Sequence, residues 1–265
     1  MSVILHVDAW KLGIAFFVLM LLAGWVGVVV APKVGQATDN GRTRIADASI
    51  ALFALLLAFS FSGAADRYEN RKGFLLDEAI AIGDFAATSS MLEDPERGQI
   101  RSELIGYVKE RLAFGTVHIE APEMNAITAH SSARQENIRS LLAAVISEKK
   151  SPTLHTPLMN GFNGLTMTHD KALYGSQNQV SDTIIILLVL FGMVSVFMIG
   201  KTETSHKQYK GPSIWIVVYI TLVTAVFMVT VDLEQPHRGV MRSSKAPLID
   251  LLDSLERPDA PDARR

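Results

Sequence analysis

Charged side chains almost vanish from four stretches of the chain, each close to twenty residues long. These are Leu12–Ala31 (LGIAFFVLMLLAGWVGVVVA), Asp47–Ala65 (DASIALFALLLAFSFSGAA), Thr183–Gly200 (TIIILLVLFGMVSVFMIG) and Ser213–Val231 (SIWIVVYITLVTAVFMVTV). An α-helix of about twenty residues is about 30 Å long, the thickness of a bilayer's hydrocarbon core. Short polar linkers, Pro32–Ala46 and Lys201–Gly211, join the segments in pairs. The pattern predicts two transmembrane hairpins. A cleaved signal peptide competes for the first segment, but the run is long for one and APKVGQA is a weak cleavage context. A buried core helix or a strand competes for each segment singly, and four runs of nearly equal span argue against it. Asp182 or Ser181 is placed to cap the third helix, and Pro212 suits the first turn of the fourth. The β-branched residues of the fourth are poor helix formers in water and ordinary in lipid, where helices satisfy the backbone.

Between the hairpins, Asp66–Ser181 changes character and predicts a helical extramembrane domain. Asp66–Leu92 continues the second span without a proline or turn cluster, with Leu75, Leu76, Ala79, Ile82 and Phe85 near one face. Asp94 and Pro95 open a helix reaching Leu112, with Ile100, Leu104, Tyr107, Val108 and Leu112 as its apolar positions. Pro122 and Glu123 open another, with Ile127, Ile138, Leu141, Leu142 and Val145 at helical spacing. SPTLHTP reads as a loop, and Thr156–Tyr174 as a weaker helix interrupted by Gly161 and Gly164. The expected organisation is a first hairpin over residues 1–65, a helical domain over 66–181, a second hairpin over 182–232 and a polar tail over 233–265. Arg257–Arg265, rich in proline and aspartate, is expected to be disordered. The fold class is therefore all-α, a polytopic membrane protein with four transmembrane helices and a helical extramembrane domain.

Composition narrows the picture. Of 265 residues, 49% are hydrophobic and 20% charged, against about 25% charged in ordinary soluble domains. The net charge of −2 and the lack of a basic stripe give no support for nucleic acid as a partner. The absence of cysteine removes disulfides, iron–sulfur clusters and thiolate zinc sites. With four spans, the termini and the helical domain share one side. The linkers carry Lys33, Arg42, Arg44, Lys201, Lys207 and Lys210. The other side carries Lys11, Arg67, Arg71, Lys72, Arg238, Arg242 and Lys245 near span ends. By density the linkers are slightly more cytoplasmic in character.

Candidate chemistry is sparse. No nucleotide-binding loop occurs, and no cofactor or metal is expected. His118, Glu120 and Glu123 straddle a proline and lack the helical spacing of a zinc site, so they read as a solvated patch. His169–Asp170 reads as a helix-surface pair. Ser60, Ser62 and Ser89 lack the strand–turn–helix setting of an esterase nucleophile. An enzyme is not expected; it would need a buried titratable cluster around Glu78, Asp84 or His169. The end of the second span is more informative. Arg67 and Arg71 lie at i and i+4, where like charges repel without partners, for which Glu69, Glu78 or another subunit are candidates. Asp66, Arg67 and Arg71 read either as an interfacial charge collar or as a vestibule that concentrates ions. Ala51, Leu55 and Phe59, with Leu52 beside them, share one face and form an apolar ring of the kind that gates a pore by dewetting. Any membrane helix has such a face. After the fourth span, Asp232 and Glu234 offer two carboxylates for a cation such as Ca²⁺, few for that purpose, so a helix-ending turn is favoured.

Taken in order, several stretches resemble the bestrophin-like four-helix membrane proteins of bacteria, and more remotely the bestrophins. SGAADRYENRKG resembles the S-Y-D-R-F/W-x-E-x-R stretch after the second span, and LLDEAIAIGDF a helix reading D/E-A-x-A-I-G. PLMNGFNGLTMTHD resembles the Leu-Asn-anchored helix before the third span. VDLEQPHRGVM resembles the turn D-x-D-x-P-x-x-G or E-x-N/D-P-F-G after the fourth. The resemblance covers about residues 10–255. It implies a homopentamer around a central ion pore in the bacterial inner membrane, lined by the second helix. Ala51, Leu52, Leu55 and Phe59 would stand at the neck or gate, and Asp66, Arg67 and Arg71 at the vestibule. Asp232 and Glu234 would fall where bestrophins place a calcium clasp, although the long acidic run of calcium-gated members is missing. It also implies that the termini and helical domain are cytoplasmic, against the mild charge bias of the linkers, and the resemblance is followed. The expected function is passive conduction of small ions, anions among them, with the lipid bilayer, the ions and further copies of the chain as partners. The alternative is a non-conducting membrane scaffold or sensor whose helical domain binds a partner.

Overall fold

The structure, a computed structural model, describes residues 7–30, 40–113, 121–177, 180–203, 213–235 and 244–257. Eight α-helices occur among them: α1 (Ala9–Val30), α2 (Asn40–Ser89), α3 (Glu96–Ala113), α4 (Ala121–Ser147), α5 (His155–Gln177), α6 (Asp182–Glu203), α7 (Ile214–Leu233) and α8 (Ala246–Glu256). A short 3-10 turn, Pro152–Leu154, precedes α5. No strand occurs among the described residues. Four helices are long and apolar enough to cross a membrane, α1, α2, α6 and α7. The chain divides into two compact units, Met1–Tyr68 with Asn178–Met241, and Glu69–Gln177 with Arg242–Arg265. Helix α2, fifty residues without interruption, contributes to both.

The first unit holds the four apolar segments. Lipid tails are as apolar as leucine, so close packing and interhelical hydrogen bonds hold such helices together. Phe16 of α1 stacks on Phe227 of α7 with ring centroids 4.2 Å apart. Met20, Phe53, Leu188, Val196, Ile216 and Ile220 complete the core. Glycines permit the closest approach, between α1 and α6. A Cβ at Gly27 would meet the Phe197 carbonyl oxygen, and one at Gly200 the Gly24 carbonyl oxygen. The Ser195 hydroxyl on α6 donates to the Ser49 carbonyl on α2 at 3.2 Å. Helix ends follow local chemistry: Ser213 caps α7 by accepting from Trp215 N–H, and Ser181 Oγ lies 3.4 Å from Thr183 N at the start of α6.

The second unit has its own core, built from Ile82, Phe85, Ile100, Leu104, Tyr107, Ile138, Leu142, Val145, Leu158, Phe162 and Leu165. Of the expected faces, Ile100, Leu104, Tyr107 and Val108 of α3 and Ile138, Leu142 and Val145 of α4 are buried, and Leu112 and Leu141 are half-buried; the side chain of Ile127 lies outside the described residues. Helix α5 runs without a break through Gly161 and Gly164. Gly161 is used for packing, since a Cβ there would press on Phe85 at 3.2 Å. Helix α8 lies within what the sequence presents only as a polar tail. Its Leu248 and Leu255 are buried in the same core. Lys245 Nζ donates to the Leu112 carbonyl at 2.6 Å, Arg101 Nε to the Leu255 carbonyl at 2.8 Å, and Arg101 Nη2 to the Arg257 carbonyl. The arginine thus satisfies carbonyls left open at the end of α8. The Lys109–Glu256 pair at 2.7 Å is exposed and contributes little. Most of Arg257–Arg265, expected to be disordered, lies outside the described residues.

Candidate functional site

The transmembrane part of α2 has two faces. Phe53, Leu57 and Ala64 are buried in the first unit. Ala51, Leu52, Leu55 and Phe59 are exposed on the chain, Phe59 by 68%. From Leu52 the exposed line continues through Leu55, Phe59, Ser62 and Asp66 at steps of three, four, three and four residues. That spacing keeps all five on one stripe of a helix.

Arg67 and Arg71 do not share the stripe, against the expectation that both belong with Asp66 to a vestibule. Each successive residue turns about 100° around the helix axis. Arg67 is turned toward the end of α7, where Glu234 Oε1 accepts from its Nε at 2.8 Å and its Nη2 at 2.7 Å. The guanidinium lies back over Gly63, where a Cβ would sit 3.4 Å from Nη1 and Nη2. Arg71 is buried in the second unit. At 5% exposure Arg71 offers little of its side chain to an aqueous vestibule.

The expected cation turn at Asp232 and Glu234 is also rearranged. Glu234 is buried, its side chain 3% exposed. Besides the two bonds from Arg67 to Oε1, its Oε2 accepts from the Val180 N–H at 3.1 Å. The neighbouring Gln235 accepts from the Ala9 N–H at 3.2 Å and donates to the Val7 carbonyl at 2.6 Å. Glu234 and Gln235 therefore tie the end of α7 to α1, α2 and the segment leading into α6. An arginine and a backbone N–H hold the carboxylate that a cation would need. Asp232 is half-buried. The described residues contain no group of three acidic, histidine or cysteine side chains able to hold a metal.

A second polar cluster lies inside the helical unit. Glu78 on α2 is fully buried and takes Arg111 of α3 in two hydrogen bonds, Nε to Oε1 at 2.7 Å and Nη2 to Oε2 at 2.8 Å. The Tyr107 hydroxyl donates to Glu78 Oε1 at 2.7 Å and stands 2.7 Å from His169 Nδ1. A hydroxyl has one proton. Given to Glu78, it leaves oxygen lone pairs facing His169, so Nδ1 carries a hydrogen and donates. His169 Nδ1 lies farther from Glu78 Oε1, at 3.5 Å, so its shorter contact is with the tyrosine. Burial alone would raise the Glu78 carboxyl; His169, the Arg111 charge and hydrogen bonds, and the Tyr107 hydroxyl outweigh it and hold the group below the usual glutamate value. Burial and the Glu78 charge push Tyr107 well above the ordinary tyrosine value.

Glu78 is thus the partner of Arg111, and Glu69 pairs with Lys72 at 3.1 Å; neither is the partner of Arg67. His169 is buried, not a helix-surface residue, while Asp84 is exposed. His118 and Glu120 and the side chain of Glu123 fall outside the described residues. Tyr107 is legible in the sequence as a core position, but nothing marks its hydroxyl as the link between Glu78 and His169. Tyr107→Phe is expected to destabilise the helical unit by about 1–3 kcal/mol, the cost of leaving buried polar groups short of a partner. Chemical denaturation of the full chain in detergent, followed by far-UV circular dichroism, measures it.

The fold defines an all-α, multi-pass membrane protein with a helical domain whose core holds the buried Glu78–Arg111 pair. Residues 14–248 match the model of the Bestrophin-like domain, and the chain belongs to the Bestrophin-like family. Among solved structures it is similar to a bacterial Bestrophin homolog from Klebsiella pneumoniae. One single-substitution variant gives a TM-score of 0.69 at 11% identity, over 94% of this chain and 96% of that one. Two others give 0.67 and 0.66 at 12% identity, over 92% and 91% of this chain and 96% and 95% of theirs. At that identity the likeness is one of fold. No curated protein sequence matches the chain.

Proposed function

We propose that the chain assembles as a homopentamer into an ion channel whose pore is lined by α2, with Ala51, Leu52, Leu55 and Phe59 at the neck and Asp66 at its mouth. One observation carries this reading. Among the four candidate spans, α2 is the least apolar, with a mean hydropathy of 2.0 against 2.5, 2.7 and 2.5 for α1, α6 and α7. It is also the least covered by its own chain, with 17% of its apolar window buried against 39%, 33% and 28%. A helix bare toward lipid should be the most apolar of the set. A bare helix that is the least apolar suits other copies of itself and a water path. The family relationship supports a channel-like role. The helical domain and termini are assigned to the cytoplasmic side.

Purified protein in planar bilayers tests the reading, with native mass spectrometry for stoichiometry. Five copies and a steady ionic current are expected. Leu55→Ala and Phe59→Ala each widen the apolar neck and should raise the current several-fold. No change from either, in a protein that conducts, removes them from the gate. A monomer or dimer that carries no current returns the chain to the scaffold or sensor reading.

A further inference from the structure

The charge that meets a permeating ion is open in the sequence, because Asp66 and Arg67 place both signs side by side. The fold separates them. Asp66 is exposed and continues the stripe of Leu52, Leu55, Phe59 and Ser62. Arg67, about 100° further around the helix, is neutralised within the chain by two hydrogen bonds from its guanidinium to the buried Glu234 carboxylate. Among the described residues Asp66 forms no ion pair. Only the negative charge of the doublet therefore stands on the stripe.

We propose that Asp66 sets the sign of the conducted ion and that the channel prefers small monovalent cations, Arg67 being silenced by Glu234. This rests on the pore reading above: α2 must line the path, so that each copy adds one Asp66 to a ring around the axis. A ring of carboxylates at the mouth of a narrow path with low-dielectric walls raises the local cation concentration and repels anions. Glu234 is a positioning residue here. It never meets the ion, and it keeps a guanidinium from cancelling the ring.

The test is the reversal potential of the full-length protein in planar bilayers under a potassium chloride gradient. The natural sequence should reverse toward the potassium equilibrium potential. Asp66→Asn, nearly isosteric at an exposed position, should lower the potassium-to-chloride permeability ratio about tenfold, the lower end of what a focused field does to local ion concentration. Asp66→Lys should reverse the sign of the potential. Glu234→Gln keeps an acceptor for Val180 N–H but frees the arginine charge, and should shift the potential in the same direction as Asp66→Asn. A protein that conducts through a neck sensitive to Phe59 yet reverses toward chloride overturns this inference and leaves the pore reading standing. So does an Asp66→Asn variant of unaltered selectivity. Absence of any current overturns the pore reading and this inference with it.

Discussion

Replacing Glu78 by alanine should destabilise the helical unit by about 3–5 kcal/mol, the cost of stranding one member of a buried ion pair. Total stabilities of domains lie near 5–15 kcal/mol, so the variant should lose a large share of the unit's stability and melt at a markedly lower temperature. Arg111, its side chain 5% exposed, would keep its charge without the carboxylate it grips through two hydrogen bonds, and Tyr107 would lose its acceptor. Thermal unfolding of the detergent-solubilised full chain, with proteolysis of residues 69–177 as a second readout, measures the loss. The double replacement Glu78→Leu with Arg111→Met should lose less than Glu78→Ala alone, because removing both charges avoids the orphan. The same pair makes the unit acid-sensitive. The Glu78 carboxyl is held low in the fold, so its contribution is present above the unfolded glutamate value and is lost as pH falls through the lower, folded one. Stability should decline on the acid side of about pH 4.5, and the decline should be shallower in the double variant.

Gly200→Val should be nearly as damaging, in the other unit and for a steric reason. The Cβ would fall on the Gly24 carbonyl oxygen, and at Gly27 on that of Phe197. Both obstacles are backbone, which cannot rotate away as a side chain does. Overpacking costs about 1–3 kcal/mol and more where the neighbour is fixed, so the α1–α6 contact must open or shift. Size-exclusion profiles and melting in detergent should show an aggregated or strongly destabilised protein for Gly200→Val and Gly27→Val. Gly164→Ala is the control. Nothing lies within 4 Å of a Cβ there, and an alanine inside α5 should stabilise by about 0.5–1 kcal/mol.

The four spans, the unbroken run of α2 and the buried faces of α3 and α4 were legible because each is a property of nearby residues. Helix α8 was harder to read. Leu248, Leu251, Leu252 and Leu255 have helical spacing, but eleven residues in a polar, proline-bearing stretch are too few to hold a helix alone. Its support comes from α3, with Lys245 reaching Leu112 across 133 positions of sequence. The candidate site divides in the same way. The apolar line Leu52, Leu55, Phe59 follows from spacing alone. His169 read as a surface residue because its neighbours in sequence are polar, and its burial depends on Tyr107, 62 positions away.

What the amino-acid sequence determined by itself was the membrane architecture and its all-α class, since hydrophobic length and helical period are written in consecutive residues. The partners of its charges were decided only by tertiary structure. Arg67 could be matched with Glu69 or Glu78 from spacing, yet it meets Glu234, 167 positions on; Glu78 instead meets Arg111, 33 positions on. A charge far along the chain becomes a neighbour only when helices pack, and burial then makes the pairing strong. That packing divides the Asp66–Arg67 doublet into one exposed charge and one neutralised charge.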